Sequence, residues 1–481
     1  MKKINLARNT TFYTGALSLQ KILAFIYFWL ISNQLLADQL GQYVFALSFS
    51  TMFSIFVDLG ISPILIREAA KNEKESNKYF NSIIGLKLPL TLATILAAYL
   101  VIFFSGKPFS VQILVYLACL VMAFDSFSMS CWTMFRARHN LFYESLTTIM
   151  VQIIIFTLGL TALKLGGDTK FLMLGLLGAS IFNFCFVLWL LKFKLNFSLL
   201  PKFDWTIIKH FLKIVPAFFL AGIFVKIYNA NDSILLSYLS SDQAVAYFAI
   251  PAKVIYSLQQ IIPAAFAAAI FPTFSYLYIH NKSKLESTFE KAFAYLAIIS
   301  LPLTAGILVL IPEVVSLFWP RYGVTIPTFY IMTLAIPFIF LTFPTGYLLN
   351  ACDRQKRTTL NRGLITVLAV ILNIILIPSL SYFGAGITFL TTNFILLFLD
   401  LYWVRGVIKI KFGYIAKVFL KSFIASLVMV GAIMIINDYT HLFVQVAFGG
   451  MVYFIFLYIL KGINPKELIG LLKKEPQIIQ D

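Results

Sequence analysis

Read as a pattern of hydrophobic and polar positions, the chain is a succession of long apolar runs separated by short polar interruptions. A bilayer core about 30 Å thick needs roughly 20 apolar residues in a helix that rises about 1.5 Å per residue. Fourteen runs satisfy that length: 12–36, 42–66, 79–104, 111–135, 144–164, 171–191, 211–239, 243–272, 292–311, 325–349, 358–381, 384–404, 415–436 and 440–460. The expected fold class is therefore an all-α integral membrane protein with 14 transmembrane helices. The first run does not read as a cleaved signal peptide, since it is too long, carries Lys21 and lacks a small-residue cleavage site.

Composition supports this reading. Of 481 residues, 60% are hydrophobic and 12% are charged, against about 25% charged in an average soluble domain. A soluble globular chain and a disordered chain are both excluded. The remaining charge is lopsided, with 38 Lys+Arg against 20 Asp+Glu. In a soluble protein that excess would suggest nucleic acid; here it is tested first against the bias of basic residues toward cytoplasmic loops. With the N-terminus inside, 30 basic residues fall on the cytoplasmic side, including Lys2 and Lys3 at the start and Lys466, Lys473 and Lys474 in the tail. Four (Lys107, Lys164, Lys170 and Arg321) fall outside, and four (Lys21, Lys87, Lys226 and Lys253) lie within spans. The asymmetry predicts a multi-pass protein of the cytoplasmic (inner) membrane with both termini cytoplasmic, and leaves no basic surface that calls for nucleic acid.

The short loops leave no room for a soluble catalytic domain. There is no GxxxxGK[ST] phosphate loop and no Asp-Lys-Thr-Gly phosphorylation motif, so the chain reads as a transporter, not an enzyme or an ATP-driven pump. Cys119, Cys131, Cys185 and Cys352 lack CxxC spacing, and His139, His210, His280 and His441 lie in loops or at span ends. No metal site or disulfide is indicated.

The chain also repeats itself. Asp38-Gln39 is followed by Tyr43 and then Phe45-Ala46; Asp242-Gln243 is followed by Tyr247 and then Phe248-Ala249. LPLT at 88–91 recurs at 301–304. The expected organisation is a six-helix lobe over 1–191, a cytoplasmic linker over 192–210, a second six-helix lobe over 211–404, and an extra helix pair with a cytoplasmic tail over 405–481. An even number of spans per lobe makes the repeat parallel, with pseudo-two-fold symmetry about the membrane normal and substrate near the midplane between the lobes. Prolines concentrate in the second lobe, with 11 of the 17 between Pro216 and Pro378. Pro216, Pro251, Pro263, Pro337 and Pro344 are candidate hinges, because proline removes a helix hydrogen bond and permits a kink.

An ionisable side chain at mid-span costs roughly 2.5–3.5 kcal/mol on insertion scales and so tends to face a cavity or a partner. Lys21, Lys226 and Lys253 are the candidate cavity cations. Lys226 lies near the midplane, about 22 Å along its span. Three cations around one cavity suggest an anionic ligand, and an ammonium suits a phosphate as a point charge. Lys87, nearer a span end, is compatible with snorkelling. Among the acids, Asp232, Asp125 and Asp58 are candidates for coupling to Na+ or H+, with pairing to a lysine as the competing role. No other cofactor is expected.

At this point the chain resembles the polysaccharide-export (O-antigen/oligosaccharide flippase) branch of the multidrug/oligosaccharidyl-lipid/polysaccharide (MOP) exporter superfamily. The resemblance is carried by LGQYVFALSFSTMFSIFVDLGISPILIREAAK (40–71), by VPAFFLAGIFVKIYNANDSILLSYLSSDQAVAYFAIPAKV (215–254), by FGAGITFLTTN (383–393), and by Asn373 with Ile377-Pro378. It implies two lobes that open alternately to each side, and a flippase that translocates undecaprenyl-pyrophosphate-linked glycan for O-antigen, capsule or a similar surface polysaccharide. It also implies that basic residues in spans 1 and 8 hold the pyrophosphate, the places of Lys21 and Lys253, and that spans 13 and 14 form a lipid-tail groove. Arginine is usual at those two places in lipid II flippases, so the lysines argue against lipid II itself. The expected partners are the lipid-linked glycan, membrane lipids, and the polymerase and glycosyltransferases of the same pathway, with the protein itself a monomer. A cation-coupled multidrug antiporter of the same superfamily would favour an acidic cavity. A membrane glycosyltransferase or polysaccharide polymerase would need a long external loop.

Overall fold

The computed structural model of the protein describes residues 6–462. Lys2, Lys3, Lys466, Lys473 and Lys474, assigned above to the cytoplasmic side, lie outside the described residues, as does most of the expected tail. Among the described residues the regular structure is helical throughout. The α-helices are α1 (Leu6–Gln34), α2 (Ala37–Asp58), α3 (Ile61–Lys71), α4 (Ser76–Phe103), α5 (Phe109–Ala137), α6 (Phe142–Lys164), α7 (Thr169–Leu195) and α8 (Trp205–Leu239). They continue with α9 (Asp242–Ile261), α10 (Pro263–His280), α11 (Lys282–Phe318), α12 (Ile326–Thr333), α13 (Ile336–Ala351), α14 (Gln355–Arg405), α15 (Phe412–Ile436) and α16 (Leu442–Ile459).

Among the described residues, eleven helices are long and apolar enough to cross a membrane, and up to 13 spans result if each of two bent pairs counts as one. The difference from the fourteen apolar runs falls on α14. Runs 358–381 and 384–404 both lie in this single 51-residue element, which is interrupted at Ser381 (φ 52°, ψ −134°). A straight helix of that length would measure about 77 Å, more than twice the hydrocarbon thickness.

Breaks inside other runs have identifiable causes. The run at 42–66 divides into α2 and α3 because Leu59 (φ 49°) and Gly60 (φ 71°) are left-handed. A glycine accepts that conformation without strain, and Gly60 also lies under α8, where a Cβ would come 2.9 Å from the backbone carbonyl carbon of Phe218. Of the candidate hinges, Pro216 sits where Trp205–Pro216 and Phe218–Leu239 meet at 56°. Pro337 lies in the first turn of α13, just past the 41° bend between Pro320–Thr333 and Ile336–Ala351. Pro263 opens α10, a position where the missing N–H is without cost. Pro251 and Pro344 lie inside α9 and α13 and are buried there.

Packing divides the chain into two compact units. The first comprises the residues up to Ile261 together with Thr359–Thr388. In it, α5 packs on α7 and α2, α2 on α8 and α9, and α1 on α6. Its buried apolar cluster includes Ile64, Phe80, Trp132, Phe135, Leu190 and Phe211, and reaches Phe197 in the connector between α7 and α8. The second unit comprises Ile262–Thr358 together with the residues from Phe389 onward. Here α15 lies against α11 and α16. Tyr453 of α16 is buried, and its hydroxyl donates to the Ile298 carbonyl oxygen at 2.6 Å and bonds the Ser422 hydroxyl at 2.7 Å.

Candidate functional site

All of the candidate cavity and coupling residues lie in the first unit: Lys21 on α1, Asp58 at the end of α2, Asp125 on α5, Lys226 and Asp232 on α8, and Lys253 on α9. The geometry separates the intramembrane lysines into two kinds. Lys87 on α4 is fully buried, and its three N–H donors are all used. They reach Asp58 Oδ1 at 3.0 Å, the Ser126 carbonyl oxygen at 3.0 Å and Ser130 Oγ at 2.7 Å. Asp58 in turn accepts from Ser62 Oγ at 2.5 Å, across the α2–α3 break. The snorkelling expected for Lys87 is thus replaced by a closed ion pair, and the Asp58 carboxylate is engaged by that lysine.

Lys21, Lys226 and Lys253 are of the other kind. Among the described residues, no carboxylate lies within ion-pair distance of any of them. Lys253 holds its ammonium 5.3 Å from the Phe28 ring centroid, and it lies close enough to Lys21 for the two charges to repel. α1 and α9, which carry these two residues, pack together. Lys226 feels the attraction of Asp58 at longer range, but Lys87 occupies that carboxylate. Lys21 and Lys253, two mutually repelling cations without an ion-pair partner among the described residues, make an electrostatically unfinished site, and Lys226 is a further cation whose interacting acid, Asp58, is already paired. An anion would complete it.

Asp232 belongs to a separate constellation. Its Oδ1 accepts from Asn373 Nδ2 at 2.6 Å and from Asn231 Nδ2 at 3.1 Å; Asn373 Nδ2 also donates to Asn231 Oδ1 at 2.8 Å. All three side chains are buried. Among the described residues, Asn373 Oδ1 has no hydrogen-bond partner. A buried carboxylate beside an unsatisfied carboxamide oxygen is an oxygen-rich environment suited to a hard cation or a proton. Asp125, on α5, has no part in the hydrogen bonds of this cluster, and its side chain is exposed. Sequence reasoning singled out Asp232 but not Asn231 or Asn373 as its companions. Asn373 is 141 residues away, and no local pattern marks the pairing.

The family described as polysaccharide biosynthesis protein matches residues 6–278, more than half of the chain. The chain belongs to the polysaccharide biosynthesis protein family. An uncharacterized membrane protein of Methanocaldococcus jannaschii is 24% identical over 490 aligned positions, covering 92% of this chain and 93% of that one. Among solved structures, an inward closed conformation of the lipid II flippase MurJ superposes with a TM-score of 0.78 at 18% identity, over 95% of this chain and 99% of that chain. An inward-facing MATE-family multidrug resistance transporter of the MOP superfamily gives 0.63 at 16% identity, over 81% and 94%. A MOP superfamily transporter from Pyrococcus furiosus gives 0.56 at 14% identity, over 83% and 94%. This polysaccharide biosynthesis family member thus shares the fold of those transporters.

Proposed function

We propose that this member of the family is a flippase that carries polyprenyl-pyrophosphate-linked oligosaccharide across the cytoplasmic membrane by alternating access, for synthesis of a surface polysaccharide such as O-antigen or capsule. The observation that carries the reading is the contrast among the lysines. Lys87 is neutralised by Asp58, whereas Lys21, Lys226 and Lys253 have no counterion among the described residues. A pyrophosphate supplies the missing negative charge, and ammonium groups bind it without demanding a fixed planar geometry. The lysines hold the head group, while the glycan stays in the aqueous part of the cavity.

The lipid tail needs an apolar place of its own. The second unit contains a cavity of about 900 Å³ lined by Phe293 and Leu301 of α11, Phe338 of α13, Phe394 of α14, and Phe419 and Phe423 of α15. We assign it to the polyprenyl chain. Counting α14 as two crossings that meet at Ser381 gives fourteen spans, with both termini cytoplasmic as the basic residues favour. Pro216 and Pro337, at or beside the 56° and 41° bends, are the hinge positions. Asp232, Asn231 and Asn373 form the site for a coupling Na+ or H+.

That last cluster also favours a second reading, a cation-coupled multidrug antiporter with the MATE-like fold. The two readings diverge on substrate charge. The deciding experiment reconstitutes the purified chain in proteoliposomes with a fluorescent undecaprenyl-pyrophosphate oligosaccharide in one leaflet and measures its exposure to an impermeant quencher. The flippase reading expects protein-dependent exchange between leaflets, competed by pyrophosphate-bearing lipids and not by organic cations. Exchange no faster than in protein-free vesicles, together with transport of a cationic drug, would replace it with the antiporter.

A further inference from the structure

The repeated Asp-Gln motif plays no part in the function argued so far. In the fold it forms the first turns of α2 and α9, and these two turns are packed against each other. Gly41 lies so near Asp242 that a Cβ at this position would overlap the Asp242 carbonyl oxygen. Lys107, in the connector between α4 and α5, bridges this seam. Its ammonium donates to the Ser237 carbonyl oxygen at 2.6 Å, to Ser237 Oγ at 2.7 Å and to Asp242 Oδ1 at 2.9 Å. Ser237 Oγ donates to the same Asp242 oxygen. The Phe45 and Tyr238 rings flank the ammonium, with centroids at 5.3 and 5.2 Å. Asp38 adds a second carboxylate within electrostatic reach of both Asp242 and Lys107.

Three features set this cluster apart from a surface ion pair. All three ammonium donors are used, the two side chains are only 13% and 10% exposed, and the partners are 135 residues apart in sequence. Charge-assisted bonds in such a setting are far stronger than exposed ones. The seam also places the positive ends of two helix dipoles side by side, and Asp38 and Asp242 offset that repulsion. Lys107 then ties the two acidic turns together. The closure is polar, so its parts can be rehydrated when they separate, whereas an apolar seam of the same size would expose hydrophobic surface to water.

We propose that Lys107 is a latch that holds the α2 and α9 starts shut, and that its release from Asp242 and Ser237 opens the cavity at that end of the bundle. The proposal rests on the alternating-access reading above, and it gives one of the few cations placed outside by the sequence a specific task. The test uses the full chain with its four cysteines (Cys119, Cys131, Cys185 and Cys352) replaced and Ala249→Cys as the only thiol. Ala249 is buried on α9, two turns beyond Asp242. Labelling by an impermeant maleimide is followed from each side in vesicles of both orientations, with no glycolipid present. Lys107→Gln and Asp242→Asn should each speed labelling at least about tenfold from the α2–α9 end and leave the other side unchanged. Lys107→Arg should stay slow, and the reversed pair Lys107→Asp with Asp242→Lys should return toward the slow rate. Unchanged labelling in folded Lys107→Gln protein overturns the latch, as does equal acceleration from both sides. If the neutral variants do not fold, Lys107→Cys and Asp242→Cys in the cysteine-free chain, joined by a short reducible cross-linker, decide the question. Bridging should stop transport and reduction should restore it, and transport across the intact bridge overturns the latch. Latch-dependent labelling in a chain that moves no glycolipid would leave the latch standing and remove only the substrate reading.

Discussion

A lysine buried in a membrane protein can be structural or functional, and its partners separate the two. Lys87 has a carboxylate, a hydroxyl and a carbonyl oxygen within 3.0 Å. Truncating one member of a buried pair leaves the other uncompensated, at a cost of about 3–5 kcal/mol. Lys87→Ala should therefore lower the thermal stability of the purified protein sharply, and combining Lys87→Met with Asp58→Asn should recover most of the loss. If Lys87→Ala is as stable as the parent, the pair is not the anchor described here. Lys226 and Lys253 should behave in the opposite way. Among the described residues they have no ion-pair partner to abandon, so Lys226→Ala and Lys253→Ala should leave melting almost unchanged. Each should slow glycolipid exchange by about 10- to 100-fold, the equivalent of one lost charge-assisted contact of about 1.5–3 kcal/mol. A stability loss without a transport loss would assign these lysines to packing. Both kinds of lysine are visible in the sequence as charges within apolar runs. What separates them is not: Asp58 lies 29 residues from Lys87, and Ser126 and Ser130 lie on another helix, so the neutralisation exists only once α2, α4 and α5 are packed.

At the scale of elements, the helices were readable because the requirement to cross about 30 Å of hydrocarbon is local and leaves a run of fixed length. Breaks inside those runs were partly readable. Pro216 and Pro337 announce bends, but Leu59 and Ser381 give no compositional sign of their positive φ. Close approach is equally hidden. Gly41 looks like any of the 24 glycines, yet a Cβ there would run into the Asp242 carbonyl oxygen, while a Cβ on Gly431 of α15 would meet nothing within 4 Å. Gly41→Ala should destabilise the protein by about 1–3 kcal/mol through overpacking. Gly431→Ala, in a helix interior, should be neutral or stabilising by about 0.5–1 kcal/mol. Thermal unfolding of the two variants side by side checks the crossing. Equal melting temperatures would mean that α2 and α9 do not meet at Gly41.

For the whole molecule, the open question is what drives a net movement. A flippase that only equilibrates its substrate needs no ion, whereas one that works against accumulation must spend a gradient. The cluster proposed for such an ion lies in the first unit. Asp232 is buried on α8, Asn373 comes from the first half of α14, and among the described residues one carboxamide oxygen is left without a partner. Asn373 ties those two helices by side-chain bonds at 2.6 and 2.8 Å, so a cation that draws on the same oxygens changes how firmly α8 is tied to α14. Binding at that point therefore biases a helix pairing and not merely a local charge, which is what coupling requires. The expected outcome is that an imposed Na+ or pH gradient shifts the leaflet distribution of the fluorescent glycolipid in proteoliposomes. Asp232→Asn should abolish the shift while leaving gradient-free exchange measurable, because the lysines remain. Asn373→Ala should weaken the ion dependence and also lower stability, since it frees two buried groups at once. A leaflet distribution indifferent to both gradients, in vesicles where exchange itself is rapid, would show that the cluster is a structural clasp between α8 and α14 and that the protein works downhill.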